Sequence, residues 1–337
     1  MFDLDKKLEE EKDVKFEYGI KSKKILLYSG NSVGKSYQSS KFPKPFLIMT
    51  ESGGGALNCL KEPCNTWEKF KDIVNDLTKE KNLKKRQSQV ETVIIDTAEN
   101  LVDLSERAVC KEFGVRDLSE IKGRENGYKI ARTEFSLFIN KLTNCGYCVI
   151  FIAHEEKVEK TDPLTGETYI YLQPKNTSNE KSSMRMLRDL CDFCIYLRPN
   201  GLNDKFEVIP STAICRETKY VFARSRFAMQ TFIDPFTAKG LISAIEEAVK
   251  KSAEEEDAGI TEYIENKEKL TAKDYIENIN PYIEALWETC EDEVTNLIIN
   301  AIGEGRKLSE VGDDEISKLE VLYNNLLTKA MIVGIEV

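Results

Sequence analysis

The stretch Lys24-Ile25-Leu26-Leu27-Tyr28-Ser29-Gly30-Asn31-Ser32-Val33-Gly34-Lys35-Ser36 decides the fold. Its first five residues read as a buried strand, and the polar residues after Ser36 can begin a helix. A strand, a small-residue loop ending in Gly-Lys-Ser and then a helix is the layout of a phosphate-binding loop. Small residues let successive backbone N–H groups turn inward around phosphate oxygens. The helix N-terminus adds free donors and a partial positive charge. In this layout Ser29, Gly30, Asn31, Ser32, Val33 and Gly34 form the cradle, Lys35 reaches the β- and γ-phosphates, and Ser36 ligates Mg²⁺. ATP and Mg²⁺ are therefore the expected ligands. The usual pattern has glycine where this chain has Ser29, while a glycine stands one place later at Gly30.

Other strand ends add carboxylates and a histidine. Thr92-Val93-Ile94-Ile95-Asp96 is an apolar run closed by an acid, about 60 residues beyond the loop. An aspartate ending a strand beside the phosphate loop holds the magnesium shell. Pro45-Phe46-Leu47-Ile48-Met49-Thr50 leads to Glu51, expected at the end of another strand beside the loop, where a carboxylate polarises the attacking water. Glu99 competes for that role. The run from Tyr147 to Ala153 ends in His154, the chain's single histidine. A polar residue there can sense the γ-phosphate and pass its state to the following loop. Arg224 and Arg226, two apart in an extended segment, can point the same way and reach the phosphates of a neighbouring subunit. Cys145/Cys148 and Cys191/Cys194 form two Cys-x-x-Cys pairs, which read either as a zinc site or as small buried apolar residues. Cys148 and Cys194 stand in apparent strands, which favours the second.

Around these motifs, strands expected at 24–28, 45–50, 92–96 and 147–153 alternate with helical stretches such as 67–79 and 100–113. Phe135, Phe138, Ile139 and Leu142 make a one-sided helical stripe. The alternation implies an α/β fold with a mostly parallel sheet flanked by helices. Residues 155–183 are polar and carry a hairpin turn at 162–166. Short strands are expected at 193–197, 205–209, 212–216 and 230–233. The chain divides into a charged arm over 1–18, a core over 19–240 and an acidic helical region over 241–337, with a flexible connector at 250–260 and punctuation at Pro281 and Gly303.

The 337 residues suffice for a large core without disulfides. No apolar run of about twenty residues is present, so no membrane span is expected, and the first residues lack a secretion-type apolar stretch. Nine cysteines then read as free thiols in a reducing cytoplasm. The net charge of −10 argues against a globally basic nucleic-acid binder but leaves room for a local basic groove, because acid concentrates at 9–11 and 246–257.

Taken in order, the loop, Glu51, Val93-Ile94-Ile95-Asp96 and Ile152-Ala153-His154 resemble the RecA-like P-loop ATPases. Gly127-Tyr128 and Ile152-Ala153-His154-Glu155 also resemble the phage-encoded ATP-binding proteins of the Sak-type single-strand annealing group. The resemblance spans roughly residues 20–236 and supports Glu51 as water activator, His154 as γ-phosphate sensor and Arg224 and Arg226 as residues reaching across a subunit interface. It implies a homo-oligomeric ATPase of the host cytoplasm that acts on single-stranded DNA in recombination or annealing. The implied DNA-binding segments contain Lys122, Arg124, Tyr128 and Lys129, then Lys175, Lys181 and Arg185, where cations and aromatics suit phosphate neutralisation and base stacking. Residues 241–337 have no counterpart in it, and their acid fits either a protein partner or autoinhibition of the DNA site. A nucleotide-gated interaction module without DNA, and a small-substrate kinase, stay open as other readings.

Overall fold

Ile25, Leu26, Leu27 and Tyr28 are fully buried, as a central strand covered on both faces requires. The computed structural model describes residues 15–51, 56–121, 126–178, 182–256, 258–261, 271–312, 315–333 and 335. Expectations placed on Lys122, Arg124, Lys181 and residues 1–14 lie outside the described residues. In chain order the strands are β1 (Lys15–Glu17), β2 (Lys24–Ser29), β3 (Pro45–Met49), β4 (Leu60–Pro63), β5 (Thr92–Asp96), β6 (Cys148–Thr161), β7 (Thr168–Pro174), β8 (Phe193–Arg198), β9 (Thr212–Ile214), β10 (Arg224–Ser225), β11 (Phe232–Ile233) and β12 (Gly259–Thr261). The helices are α1 (Lys35–Ser39), α2 (Trp67–Thr78), α3 (Leu83–Gln89), α4 (Ala98–Glu112), α5 (Gly127–Asn144), α6 (Ser183–Leu190), α7 (Ala238–Glu255), α8 (Ala272–Ile302) and α9 (Ile316–Val333).

The main sheet runs β11-β9-β8-β2-β6-β5-β3-β4. From β8 to β4 every neighbouring pair is parallel, while β9, β10 and β11 add antiparallel strands at one side and β7 pairs antiparallel with β6. This is the mostly parallel, helix-flanked sheet that the alternation of elements implies. One expectation is corrected here. The strands ending at Asp96 and leading to Glu51 do not lie beside the P-loop strand, because β6 separates β2 from β5 and β3 lies beyond β5. The apolar pattern identifies strands, whereas their order depends on which long-range pairings form. Residues 148–153, buried throughout, suit an interior place between two parallel neighbours.

The chain forms two compact units. The first comprises Met1–Thr78, Leu83–Leu104 and Phe138–Glu265. Its core joins Ile25, Leu27, Ile150 and Ile195 to Leu241, Ala244, Ile245 and Ala248, a helical stripe on α7. The unit thus runs past residue 240, where the sequence places a boundary. The segment 250–260 is not simply a connector: α7 continues to Glu255 and β12 pairs in parallel with β1. The strand expected at 205–209 is instead a turn. Asn203 organises it by accepting the N–H groups of Lys205 and Glu207 on its side-chain oxygen, and only an isolated Leu202–Val208 bridge remains.

The second unit comprises Lys79–Asn82, Ser105–Leu137 and Asn266–Val337. A reciprocal Thr271/Asp274 cap opens α8, and Ile279, Leu286 and Val294 share a core with Leu319, Leu322 and Leu326 of α9. Pro281 lies within α8. The non-helical residue is Cys290, at φ −141°, and Gly303, at φ 98°, ends the helix. A separate cluster of Val109, Leu118, Ile121, Ile130 and Ala131 surrounds the start of α5. At Gly127 a Cβ would come within 2.6 Å of the Leu118 carbonyl oxygen, so the close approach demands glycine.

Candidate active site

Parallel register gathers the singled-out residues along one edge of the sheet. Ser29 pairs with His154, Asp96 with Ile152, and Met49 with Asp96. The order along that edge is therefore P-loop, His154, Asp96 and the β3 end that carries Glu51. A cavity of about 280 Å³ opens there, lined by Asn31, Ser32, Val33, Gly34, Lys35, Ser36, Tyr37, Glu51, Asp96, Thr97, Ile152 and His154. Such a crevice at the carboxyl ends of parallel strands is where open α/β sheets bind ligands.

The loop takes left-handed backbone conformations at Ser32, φ 60°, and Gly34, φ 89°. No atom lies within 4 Å of a Cβ built on Gly34, so its backbone conformation, not lack of space, calls for glycine. Lys35 Nζ donates to Ser29 O and Ser29 Oγ, both at 3.1 Å, and to Gly30 O at 2.6 Å. The atypical Ser29 thus supplies one of the oxygens that hold the lysine. Burial pulls the Lys35 ammonium below the ordinary lysine value, while Asp96, Glu99, Glu155 and Glu51 pull it back up.

Ser36 Oγ donates to Asp96 Oδ2 at 2.6 Å. Burial raises the Asp96 carboxyl above its ordinary value, opposed by the Ser36 hydrogen bond and by Lys35. These two hard oxygen donors fit Mg²⁺. The charge balance points the same way, because among the described residues Lys35 is the only lysine or arginine lining the cavity and four carboxylates act on it. A triphosphate needs additional positive charge in these surroundings. Thr50 fixes the neighbouring strand end: its Oγ1 donates to Thr97 O and accepts the Thr97 N–H, both at 2.8 Å.

The two competing glutamates are separated by their surroundings. Glu51 is exposed and lines the cavity, and Asn100 Nδ2 donates to its Oε2 at 3.3 Å. Glu99 is 7% exposed and is not among the lining residues. Its Oε1 accepts the His154 backbone N–H at 3.1 Å and engages the same residue's Nδ1, while Oε2 is buried without a hydrogen-bond partner. Glu99 therefore orients His154. The His154 carbonyl accepts the Lys175 N–H at 2.9 Å. Beyond it, the Glu156 carboxylate accepts the N–H groups of Asn176, Thr177 and Ser178 at 2.9, 3.3 and 3.1 Å. The cavity edge is thereby tied to the loop after β7.

Arg224 and Arg226 are not brought to this cavity. The segment β10 pairs with Phe193 and Cys194 at the start of β8, and Phe193 aligns with Ile25, near the opposite end of β2 from the loop. Arg224 Nη1 donates to Asp189 O at 3.1 Å, and Arg226 Nε lies 3.3 Å from Asp192 Oδ1. The described DNA candidates fall in different units, Tyr128 and Lys129 in the second and Lys175 and Arg185 in the first. Tyr128 packs against the Val109–Ile130 cluster. Cys148, Cys191 and Cys194 are buried free thiols, and burial pushes Cys148 and Cys191 well above the ordinary thiol range. Among the described residues, no group of three or more His, Cys, Asp or Glu is arranged to hold a metal ion, and no helix is long and apolar enough to cross a membrane.

Sequence reasoning missed the Thr50–Thr97 lock and the Glu99–His154 anchor, which depend on strand order. It also missed Tyr37, although that residue directly follows the Gly-Lys-Ser signature. Comparison with known proteins matches residues 21–227 to a family model described as an AAA domain. The SPbeta prophage-derived uncharacterized protein YorG of Bacillus subtilis (strain 168) is 31% identical over 319 residues, covering 91% of this chain and 94% of that protein. Among solved structures, the flagellar accessory protein FlaH from Methanocaldococcus jannaschii aligns with 61% of this chain and 80% of its own, at 10% identity and a TM-score of 0.31.

Proposed function

The chain belongs to the AAA domain family of P-loop ATPases, and from that premise we propose that it binds and hydrolyses ATP with Mg²⁺ to act on single-stranded DNA in phage-type recombination or strand annealing. One observation carries the ATPase reading: Lys35, Ser36, Asp96, Glu51 and His154 line a single cavity. Loop N–H groups and Lys35 hold the phosphates, while Ser36 and Asp96 hold the metal. Bound Mg²⁺ neutralises phosphate oxygens and orients the triphosphate. Glu51 accepts a proton as the water oxygen attacks the γ-phosphorus, and the bond to the β-phosphate oxygen breaks to release ADP and phosphate.

His154 faces the γ-phosphate end and passes nucleotide state through its carbonyl bond with Lys175 to the loop that meets DNA. The prophage origin in the relative's name supports the phage setting. The absence of arginine from the described cavity lining supports an oligomer in which a neighbour supplies it from Arg224 or Arg226. The acidic region 241–337 then serves a protein partner. Salt-dependent binding of a labelled oligonucleotide, measured with and without ATP, tests the DNA half. No binding at low salt in either nucleotide state removes it, and full ATP affinity and turnover in Lys35→Ala removes the nucleotide half.

A nucleotide-gated protein-interaction module is the second reading. It is favoured by Lys160 lying over the Tyr171 ring and by Lys219 Nζ 5.3 Å from the Tyr169 ring centroid, so the protein's own cations already cover the aromatics of the β6–β7 hairpin. Nucleotide-dependent retention of a protein, with no oligonucleotide binding, is its signature.

A further inference from the structure

Tyr37 is the second residue after Lys35 and lies on α1, the helix that leaves the phosphate loop. It lines the cavity, yet 55% of the residue is exposed. The Lys41 ammonium sits 4.8 Å from its ring centroid, which places a cation against one side of the ring. Among the described residues no other aromatic ring is in contact with it. The adjoining cavity wall is polar at its phosphate end, where Lys35, Ser36, Asp96, Glu51 and His154 stand, and among the described residues Tyr37 is the only phenylalanine, tyrosine or tryptophan in the lining. A large aromatic left in water at the margin of a polar cavity has apolar area to bury. A planar π-system is the ligand group that buries it best, and stacking does not require a hydrogen-bonded match to one base.

We infer that Tyr37 is the nucleobase platform of this site, stacking the base of the nucleotide whose phosphates the loop holds. The assignment rests on the ATP-binding reading and adds what the phosphate loop alone lacks, discrimination of a nucleoside triphosphate from a bare triphosphate chain. The Lys41 ammonium, 4.8 Å from the ring centroid, adds cation–π polarisation to the ring. Recognition by stacking predicts that ATP and GTP bind with similar affinity and that both depend on Tyr37.

Isothermal titration of the full chain with MgATP and with magnesium tripolyphosphate tests the platform. Tyr37→Ala is expected to weaken MgATP binding roughly five- to 150-fold, the range for loss of one stacked base. Tripolyphosphate affinity is expected to stay at the wild-type value, which also shows that the variant is folded. Tyr37→Phe is expected to keep wild-type MgATP affinity. Unchanged MgATP affinity in Tyr37→Ala overturns the inference, as does an equal loss for both ligands or a loss in Tyr37→Phe as large as in alanine. A wild-type chain that binds neither ligand overturns the ATP-binding reading and the platform with it. Wild-type binding of both, with Tyr37→Ala indistinguishable, overturns the platform alone.

Discussion

Paired Glu51→Gln and Glu99→Gln variants separate the group that activates water from the group that anchors the histidine. Glu51 is exposed, lines the cavity and has one weak contact at 3.3 Å from Asn100, so its replacement costs the fold little, within about 0.5 kcal/mol. Loss of a general base costs about 10²- to 10⁴-fold in rate. Glu99 is 7% exposed and binds His154 through its backbone N–H and its ring. Turning a hydrogen bond to a charged group into a neutral one loses about 1–1.5 kcal/mol. Against that, Oε2 is buried and unpartnered, and a neutral amide relieves about 1 kcal/mol or more of the desolvation cost of the buried charge. The opposing effects nearly cancel, leaving a net change within about 0.5 kcal/mol, or about 1–2 °C for a unit of this size. The glutamine keeps an acceptor for His154, so turnover falls about tenfold, in the range for loss of an outer orienting partner. Single-turnover hydrolysis at saturating ATP, nucleotide binding and thermal melting read the three quantities. A Glu99→Gln variant that loses more than about 10²-fold in turnover, while Glu51→Gln stays within a few-fold, would transfer the base role to Glu99.

Burial raises the folded Asp96 pKa above its ordinary value of 3.8, so its contribution to stability is fully present below the unfolded value and is lost as pH rises through the folded one. At neutral pH the nucleotide-free Asp96→Asn variant should therefore melt at or above wild type while losing Mg²⁺-dependent hydrolysis, and a clear drop in melting temperature contradicts this. Mixing Arg226→Ala with Lys35→Ala subunits should restore part of the activity that each lacks alone, and mixtures no better than the sum of their parts remove the in-trans role. Ser29→Ala deletes one of the oxygens that hold Lys35 and should tighten MgATP binding up to about tenfold, the lower end of the worth of a hydrogen bond to a charged group; weaker binding in titration contradicts it. Native protein treated with a thiol reagent should leave Cys148, Cys191 and Cys215 unmodified until denaturant is added, because burial pushes all three thiols up, Cys215 to about 12; elemental analysis finding stoichiometric zinc would contradict their reading as buried thiols.

How much of this could be read from sequence follows from the range of each signal. The strand Lys24–Ser29, the loop and the strand ending at Asp96 are local patterns, in which buried strands read as continuous apolar runs and a Gly-Lys-Ser loop spells out its own conformation. The position of β6 between β2 and β5 is not local, and with it was lost the nature of the Glu99–His154 pair, two residues 55 positions apart that meet only because α4 starts just after β5, the neighbour of β6. The segment 205–209 misled through its alternating Phe206 and Val208, which are 84% and 74% exposed in a turn organised by Asn203. Alternation marks a strand only where one face is buried. The acidic 250–260 segment misled in the opposite direction. Its charge reads as a solvated linker, but α7 needs only one apolar stripe to pack, and β12 needs only the backbone of β1.

Ser29, the residue that departs from the usual phosphate-loop pattern, changes what Lys35 does and not whether the loop forms. Glycine is required where φ is positive, and that requirement falls on Gly34, at φ 89°, not on Ser29, which lies in β2 in register with His154. There its hydroxyl accepts from Lys35 and donates to Gly30 O at 3.0 Å. Three oxygens of the loop's own residues thus compete with phosphate for the ammonium, and four carboxylates reinforce its charge against burial. A hydrogen bond to a charged group is worth about 1.5–3 kcal/mol, so a γ-phosphate must replace several such bonds to win the lysine. Only a ligand that also brings a cation to Ser36 and Asp96 relieves the carboxylate excess at the same time. Nucleotide and metal are consequently expected to bind as one unit, and the lysine to report their joint arrival to Ser29 and, through the β2–β6 pairing, to His154.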